Sequence, residues 1–254
     1  MYKFKEYVML IILVIASFFS IISFIPLKEV VETNTWIEDY VLIAAHRGGA
    51  YLNPENTQKA FDYVIKETSY TDIVEIDVRL TKDNILVINH DGDINRMGTN
   101  ENEEEIKISA HTYEELSNYN LGKNFVDLNG NKPYYDLSID EARQEGLTIM
   151  KFEDFLIRYN DYENVKVFIE IKDSGDGAIT IADMIISMLD KYSSYKNRSM
   201  IISFDDEVLD YIYKTYPNQY TGALGDKVVS QIALNKLCLD AFSSPNYHSI
   251  QVKN

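Results

Sequence analysis

The chain has 254 residues, 40 of them acidic against 24 basic, a formal net charge of −16 and one cysteine, Cys238. That balance excludes nucleic acid and an anionic lipid surface as the main partner. A single thiol excludes an intrachain disulfide and suits a small apolar filler in a helix. A phosphate ligand would meet a repulsive general field, so a local cation and local Arg or Lys would have to overcome it.

Residues 7–26 carry no charge and are mostly Ile, Leu, Val, Phe or Met. That length predicts one bilayer-spanning helix. A cleaved signal fits less well, because residues 20–24 make a poor cleavage site. Lys3 and Lys5 precede the run, while Lys28 behind it is offset by Glu29 and Glu32. The positive-inside rule then keeps the N-terminus in the cytoplasm and the bulk of the chain outside, at the cell membrane. The expected organisation is an anchor at 1–26, a polar linker at 27–40 and one large domain at 41–254. The only tryptophan, Trp36, lies in the linker; membrane interface and packing beneath the domain both remain open.

Strand-like runs follow at 41–45, 73–78, 85–89, 165–171, 200–204, 220–224 and 241–244. Helical patterns lie between most of them. Residues 54–68 have Pro54 near the start and Ala60, Phe61, Val64 and Ile65 at helical spacing. Residues 177–192 repeat Ile179, Ala182, Ile185, Ile186 and Leu189; 205–216 and 228–239 are similar. This alternation predicts an α/β fold with a mainly parallel sheet. A barrel fits better than an open sheet, since no Gly-rich nucleotide loop follows the first strand.

Between strands two and three the link 79–84 is too short for a helix. By length, Thr81-Lys82-Asp83-Asn84 reads as a hairpin turn; an extended return would keep the pair parallel. Residues 92–150 form a long polar insertion. Its acidic run 101–105 reads as a solvated loop, Thr112 to Glu115 as a capping box, and His111 as a surface residue.

Polar clusters sit where the apolar runs end: Ala45-His46-Arg47-Gly48-Gly49, Glu75-Ile76-Asp77 and His90-Asp91. Charge at the edge of a hydrophobic strand is costly unless paired. Residues two apart on a strand share a face, so Glu75 pairs with Asp77, and Glu170 with Lys172. In a parallel barrel the strand ends converge on one mouth. Three converging carboxylates repel one another unless a cation sits among them. Oxygen ligands suit one divalent cation, Mg²⁺ or Ca²⁺, better than zinc. Arg47 and Lys172 supply positive charge, and Arg47 can grip a phosphate through two parallel hydrogen bonds. His46 and His90 remain as proton carriers, an arrangement suited to cleaving a phosphodiester.

Together with Pro54-Glu55-Asn56-Thr57, Leu80-Thr81-Lys82-Asp83, Glu170-Ile171-Lys172 and Ser203-Phe204, these segments resemble the glycerophosphodiester phosphodiesterase family over residues 41–245. Weaker echoes occur at 96–99, at Glu114-Glu115-Leu116 and at 150–155, where the family has a short strand-to-helix entry. The resemblance implies a TIM-type (β/α)₈ barrel with an insertion after strand three. It also implies cation-dependent hydrolysis of glycerophosphodiesters to glycerol 3-phosphate and an alcohol. By position, His46 and His90 are the implied acid/base pair. Glu75, Asp77 and Glu170 are the implied metal ligands, with Glu55 near the ion, and Arg47 and Lys172 the phosphate contacts. The short link between strands two and three is also a family feature, which sets the hairpin aside. The family's closing Trp-Thr-Val-Asn-like strand has no counterpart here, so a barrel short of its last strand is expected. Two other readings stand beside the main one: a lysophospholipase D or sphingomyelinase D-like activity, and an inactive phosphodiester-binding barrel.

Overall fold

A computed structural model describes residues 2–22, 36, 38, 40–99, 104–223, 226–236 and 248–250. Among these residues the strands are β1 (Ala44–Ala45), β2 (Ile73–Leu80), β3 (Leu86–Ile88), β4 (Met150–Lys151), β5 (Lys166–Ile171), β6 (Ser199–Ser203), β7 (Tyr220–Ala223) and β8 (Ser249–Ile250). Among the described residues the α-helices are α1 (Tyr2–Ile22), α2 (Gln58–Asp62), α3 (Asn95–Gly98), α4 (Tyr113–Leu116), α5 (Ile139–Gln144), α6 (Phe152–Arg158), α7 (Gly175–Lys191), α8 (Asp206–Thr215) and α9 (Asp226–Lys236). The sheet order is β4-β3-β2-β5-β6-β7-β8, with β1 also pairing β2. The ladders β1–β2, β2–β5, β5–β6, β6–β7 and β7–β8 are parallel, as the strand–helix alternation predicts.

β3 departs from that pattern. It runs antiparallel to β2, with Val78 opposite Ile88 and Leu80 opposite Leu86. Five residues cannot carry a parallel crossover, which needs a dozen or more. The turn closes through the Thr81 amide on the Ile85 carbonyl (3.0 Å) and the Ile85 amide on Thr81 Oγ1 (2.9 Å). Asn84 takes the left-handed conformation (φ 59°) that Asn tolerates better than most residues. The hairpin that chain length suggested is therefore the correct reading, and the parallel return implied by the resemblance is not. β4 then pairs antiparallel to β3 and leads straight into α6, which matches the echo at 150–155.

Alternation along the strands sorts two apolar layers. Val74, Ile76, Val78, Val167, Ile169 and Ile171 face outward and pack under α2, α6, α7 and α8. Phe61 meets Phe155 edge to face at 5.0 Å there. On the inner face, Met200 and Ile202 cluster with Phe168, Tyr220 and Trp36. Trp36 stacks on Phe168 at 5.3 Å, and Glu38 pairs with Lys166 at 2.7 Å. Trp36 thus packs against the sheet, which decides between the two places open to it. A third cluster (Val87, Ile94, Met97, Ile108, Leu116, Leu121, Ile149) gives the insertion its own small core.

The capping box forms as expected, Thr112 and Glu115 each bonding the other's backbone. His111 Nδ1 lies 2.8 Å from the Lys107 carbonyl. The strand expected at 241–244, Cys238 and most of the acidic run 101–105 lie outside the described residues. In the described sheet β8 follows β7, with Gly222 opposite Ser249, and no ladder joins β8 to β1 among the described residues. Among the described residues no helix is long and apolar enough to cross a membrane. The uncharged part of α1, residues 7–22, reaches roughly 24 Å against the ~30 Å hydrocarbon core of a bilayer, and residues 23–26 lie outside the described set. The anchor expected at 1–26 thus finds no support in the described helix.

Candidate active site

The sheet register builds the centre of the site. Asp77 stands directly opposite Glu170 across the β2–β5 ladder, and Glu75 is two residues before Asp77 on the same face. One carboxylate oxygen from each of the three lies within 4.8 Å of the others. All three residues are buried. Burial and the neighbouring Asp77 charge push the Glu75 carboxyl well above its usual range; burial pushes Glu170 upward too, against Lys172. Glu75 Oε1 and Asp77 Oδ1 are buried and make no hydrogen bond among the described residues. Orphaned carboxylate oxygens that close are costly. A hard divalent cation with oxygen ligands, Mg²⁺ or Ca²⁺, satisfies them, so the residues present fit such an ion.

Positive groups surround the trio. Lys172 Nζ donates to Glu170 Oε1 at 2.6 Å and stands 3.5 Å from Asp77 Oδ1. Arg47 leaves β1 in a tight turn of three left-handed residues, Arg47 (φ 52°), Gly48 (φ 72°) and Gly49 (φ 88°). The turn aims the Arg47 amide at Glu75 Oε2 (2.6 Å) and brings its guanidinium Nε to 3.5 Å from Asp77 Oδ2. A glycine at 48 is required: a Cβ there would sit 2.8 Å from the Phe61 ring. His46 precedes the turn, its Nε2 4.0 Å from Glu75 Oε2 and its side chain 66% exposed. Burial and the Arg47 charge hold the His46 imidazole below its ordinary pKa.

His90 follows β3. Its Nδ1 lies 2.7 Å from Asp91 Oδ1. The hairpin is what brings it there. All seven expected residues, His46, Arg47, Glu75, Asp77, His90, Glu170 and Lys172, therefore gather at one mouth. Glu55 is the exception among the candidates. It stands outside the carboxylate trio, its Oε1 taken by Arg47 Nη1 (3.0 Å) and Arg96 Nη2. Those two arginines outweigh burial and hold its carboxyl below the usual range. A cavity of about 410 Å³ opens beside Glu170 and Lys172, bounded on its far side by Ser203, Phe204 and Asp205.

Several supporting residues carry roles that the sequence reading does not assign. Asn56 (φ 56°) donates from Nδ2 to Asp77 Oδ2 at 2.7 Å and turns that carboxylate toward the trio. Arg79 donates from Nε and Nη2 to the His90 carbonyl and from Nη1 to Asp173. Asp91 and Arg96 pair at 2.6 Å. Asn56, Asp91 and Arg96 stood in segments the sequence singles out, whereas the contacts of Arg79 with Asp173 and of Arg96 with Glu55 join segments 94 and 41 residues apart.

The fold and site together define a TIM-barrel-like α/β protein with a buried carboxylate trio flanked by two histidines. The chain belongs to the glycerophosphoryl diester phosphodiesterase family, whose sequence profile matches residues 46–252. It is similar to a glycerophosphodiester phosphodiesterase of Bacillus subtilis (strain 168), 26% identical over 202 residues that cover 76% of this chain and 62% of that protein. The chain thus spans somewhat less than two thirds of that relative's length. In fold it resembles a glycerophosphodiester phosphodiesterase from Agrobacterium tumefaciens (TM-score 0.55, 18% identity, 73% of this chain and 67% of that one). It also resembles an Oleispira antarctica phosphodiesterase in complex with its product sn-glycerol-3-phosphate (TM-score 0.58, 18% identity, 84% and 85%).

Proposed function

We propose that this protein is a cation-dependent phosphodiesterase that hydrolyses glycerophosphodiesters to glycerol 3-phosphate and an alcohol. The observation that carries the reading is the buried trio Glu75, Asp77 and Glu170 with two orphaned oxygens. Family membership and the relatives named above support it.

Glu75, Asp77 and Glu170 would hold one divalent cation. When bound, such an ion supplies charge stabilisation for the phosphoryl oxygens. The remaining work falls to side chains. His46, its imidazole held below its ordinary pKa, accepts a proton from the attacking water as that oxygen bonds to phosphorus. The phosphorus–oxygen bond to the leaving alcohol breaks, and His90 hands that oxygen its proton. Arg47 and Lys172 orient the phosphate, and the cavity beside Glu170 has room for the departing group.

The reading extends to place. The uncharged run 7–26 supports a single-pass anchor in the cell membrane with the barrel on the extracytoplasmic side. Protease accessibility on intact cells tests this: the barrel should be cleaved from outside, and full protection would count against it.

Hydrolysis is tested with the full chain on glycerophosphocholine. Release of glycerol 3-phosphate that stops with a chelator and with His46→Ala supports the proposal. Binding without turnover, or turnover indifferent to both, overturns it.

A further inference from the structure

Arg96 belongs to the insertion, not to the strands that carry the trio. It stands on α3, whose single turn is fixed by buried Ile94 and Met97 in the insertion's own core. Its carbonyl accepts from Asn124 Nδ2 at 3.2 Å, and the same amide donates to the Thr99 carbonyl at 2.7 Å. From that platform the guanidinium spans two carboxylates. Nε donates to Asp91 Oδ2 at 2.6 Å, and Nη2 donates to Glu55 Oε1.

Each carboxylate holds a second group of the site. Asp91 Oδ1 lies 2.7 Å from His90 Nδ1, and Glu55 Oε1 accepts from Arg47 Nη1 at 3.0 Å. An ionised carboxylate only accepts, so His90 Nδ1 carries the proton and Nε2 is left to exchange one. An isolated pair on a side chain 48% exposed would contribute little. Here both partners are more deeply set, and each already bonds a residue of the mouth.

We infer that Arg96 is a positioning residue that sets the tautomer of His90 through Asp91 and the pose of Arg47 through Glu55. One guanidinium from the insertion thus aligns the proton donor on one side of the mouth with the phosphate-gripping arginine on the other. The tautomer claim stands on geometry alone; the kinetic claim rests on the proposed hydrolysis.

The test uses the full chain with Arg96→Gln, Arg96→Lys and Asp91→Ala. The readouts are the ¹⁵N shifts of the His90 ring in the resting protein, kcat and KM on glycerophosphocholine, and thermal unfolding. In Arg96→Gln, His90 should populate the Nε2-protonated tautomer, kcat should fall about 10–100-fold, and KM should rise. Arg96→Lys, which cannot bridge two carboxylates in a plane, should recover only part of the loss. Asp91→Ala should redistribute the tautomer while leaving Arg47 and KM near wild type. A His90 ring that stays Nδ1-protonated in both Arg96→Gln and Asp91→Ala overturns the inference, as do kcat and KM within twofold of wild type in Arg96→Gln. An inactive wild-type chain would count against the hydrolase reading, and the tautomer measurement would still decide this one.

Discussion

The backbone amide of Arg47 donates to Glu75 Oε2 at 2.6 Å, which ties the turn after the first strand to the carboxylate trio. A peptide N–H, unlike a long side chain, cannot swing away. The position of Glu75 is therefore set by the φ angles of the turn, and those depend on glycine. A residue other than glycine at 48 would need φ near 72° and would place a Cβ 2.8 Å from the Phe61 ring.

Gly48→Ala should therefore lower stability by about 1–3 kcal/mol, the usual cost of a strained backbone position. It should also weaken cation binding, because the Arg47 amide leaves Glu75. Urea unfolding and calorimetric titration check the two effects separately. Unchanged affinity in a folded Gly48→Ala protein would mean that the turn does not place Glu75.

Arg79 joins the second strand to the segment carrying His90. Its guanidinium donates twice to the His90 carbonyl, at 3.0 and 2.8 Å, and once to Asp173 at 2.9 Å. Arg79→Ala should cost roughly 1.5–3 kcal/mol, the range for hydrogen bonds to charged groups. It should also lower kcat more than it raises KM, since His90 moves and the phosphate contacts do not. Arg79→Lys should restore little, because an ammonium cannot make the forked contact.

Acid should act on the site through Asp91 and Glu55. Burial raises both carboxyls, but His90 and Arg96 outweigh it at Asp91, and Arg96 and Arg47 outweigh it at Glu55, so both lie below their ordinary values. Carboxyls depressed on folding bind fewer protons in the folded state than in the unfolded one. Their stabilisation is fully present above the unfolded values near pH 4–4.5 and is lost as pH falls through the depressed ones. Unfolding free energy should thus drop as pH falls below about 4.5, and Arg96→Gln should flatten that drop. Equal slopes in the two proteins would remove Arg96 as the cause.

The trio was legible because strand alternation is a strict period of two. Glu75 and Asp77 had to share a face, and the Asp77–Glu170 register delivered the third oxygen donor. Both histidines and Lys172 were legible for a related reason, each standing where an apolar run ends. What lay beyond reading was set by contacts between distant segments. Arg79 reaches Asp173 across 94 residues, and Arg96 reaches Glu55 across 41. Nothing local distinguishes Arg79 from a solvated arginine, and the echo at 96–99 gives Arg96 no partner. Glu55 was placed near an ion for the same reason: its two arginine partners could not be seen. The hairpin shows the opposite case, where chain length alone pointed to the right pairing and analogy pointed away from it. Trp36, in a polar linker, found its partner in Phe168, 132 residues on, and only the fold brings them together.

The central claim is that Glu75, Asp77 and Glu170 gather around one divalent cation. Isothermal titration of the metal-free chain with Ca²⁺ and with Mg²⁺ tests it most directly. One bound ion per chain, abolished or weakened at least tenfold by Glu170→Gln with the fold intact, is the expected result. No saturable binding of either ion, or binding of equal strength in Glu170→Gln, would contradict it.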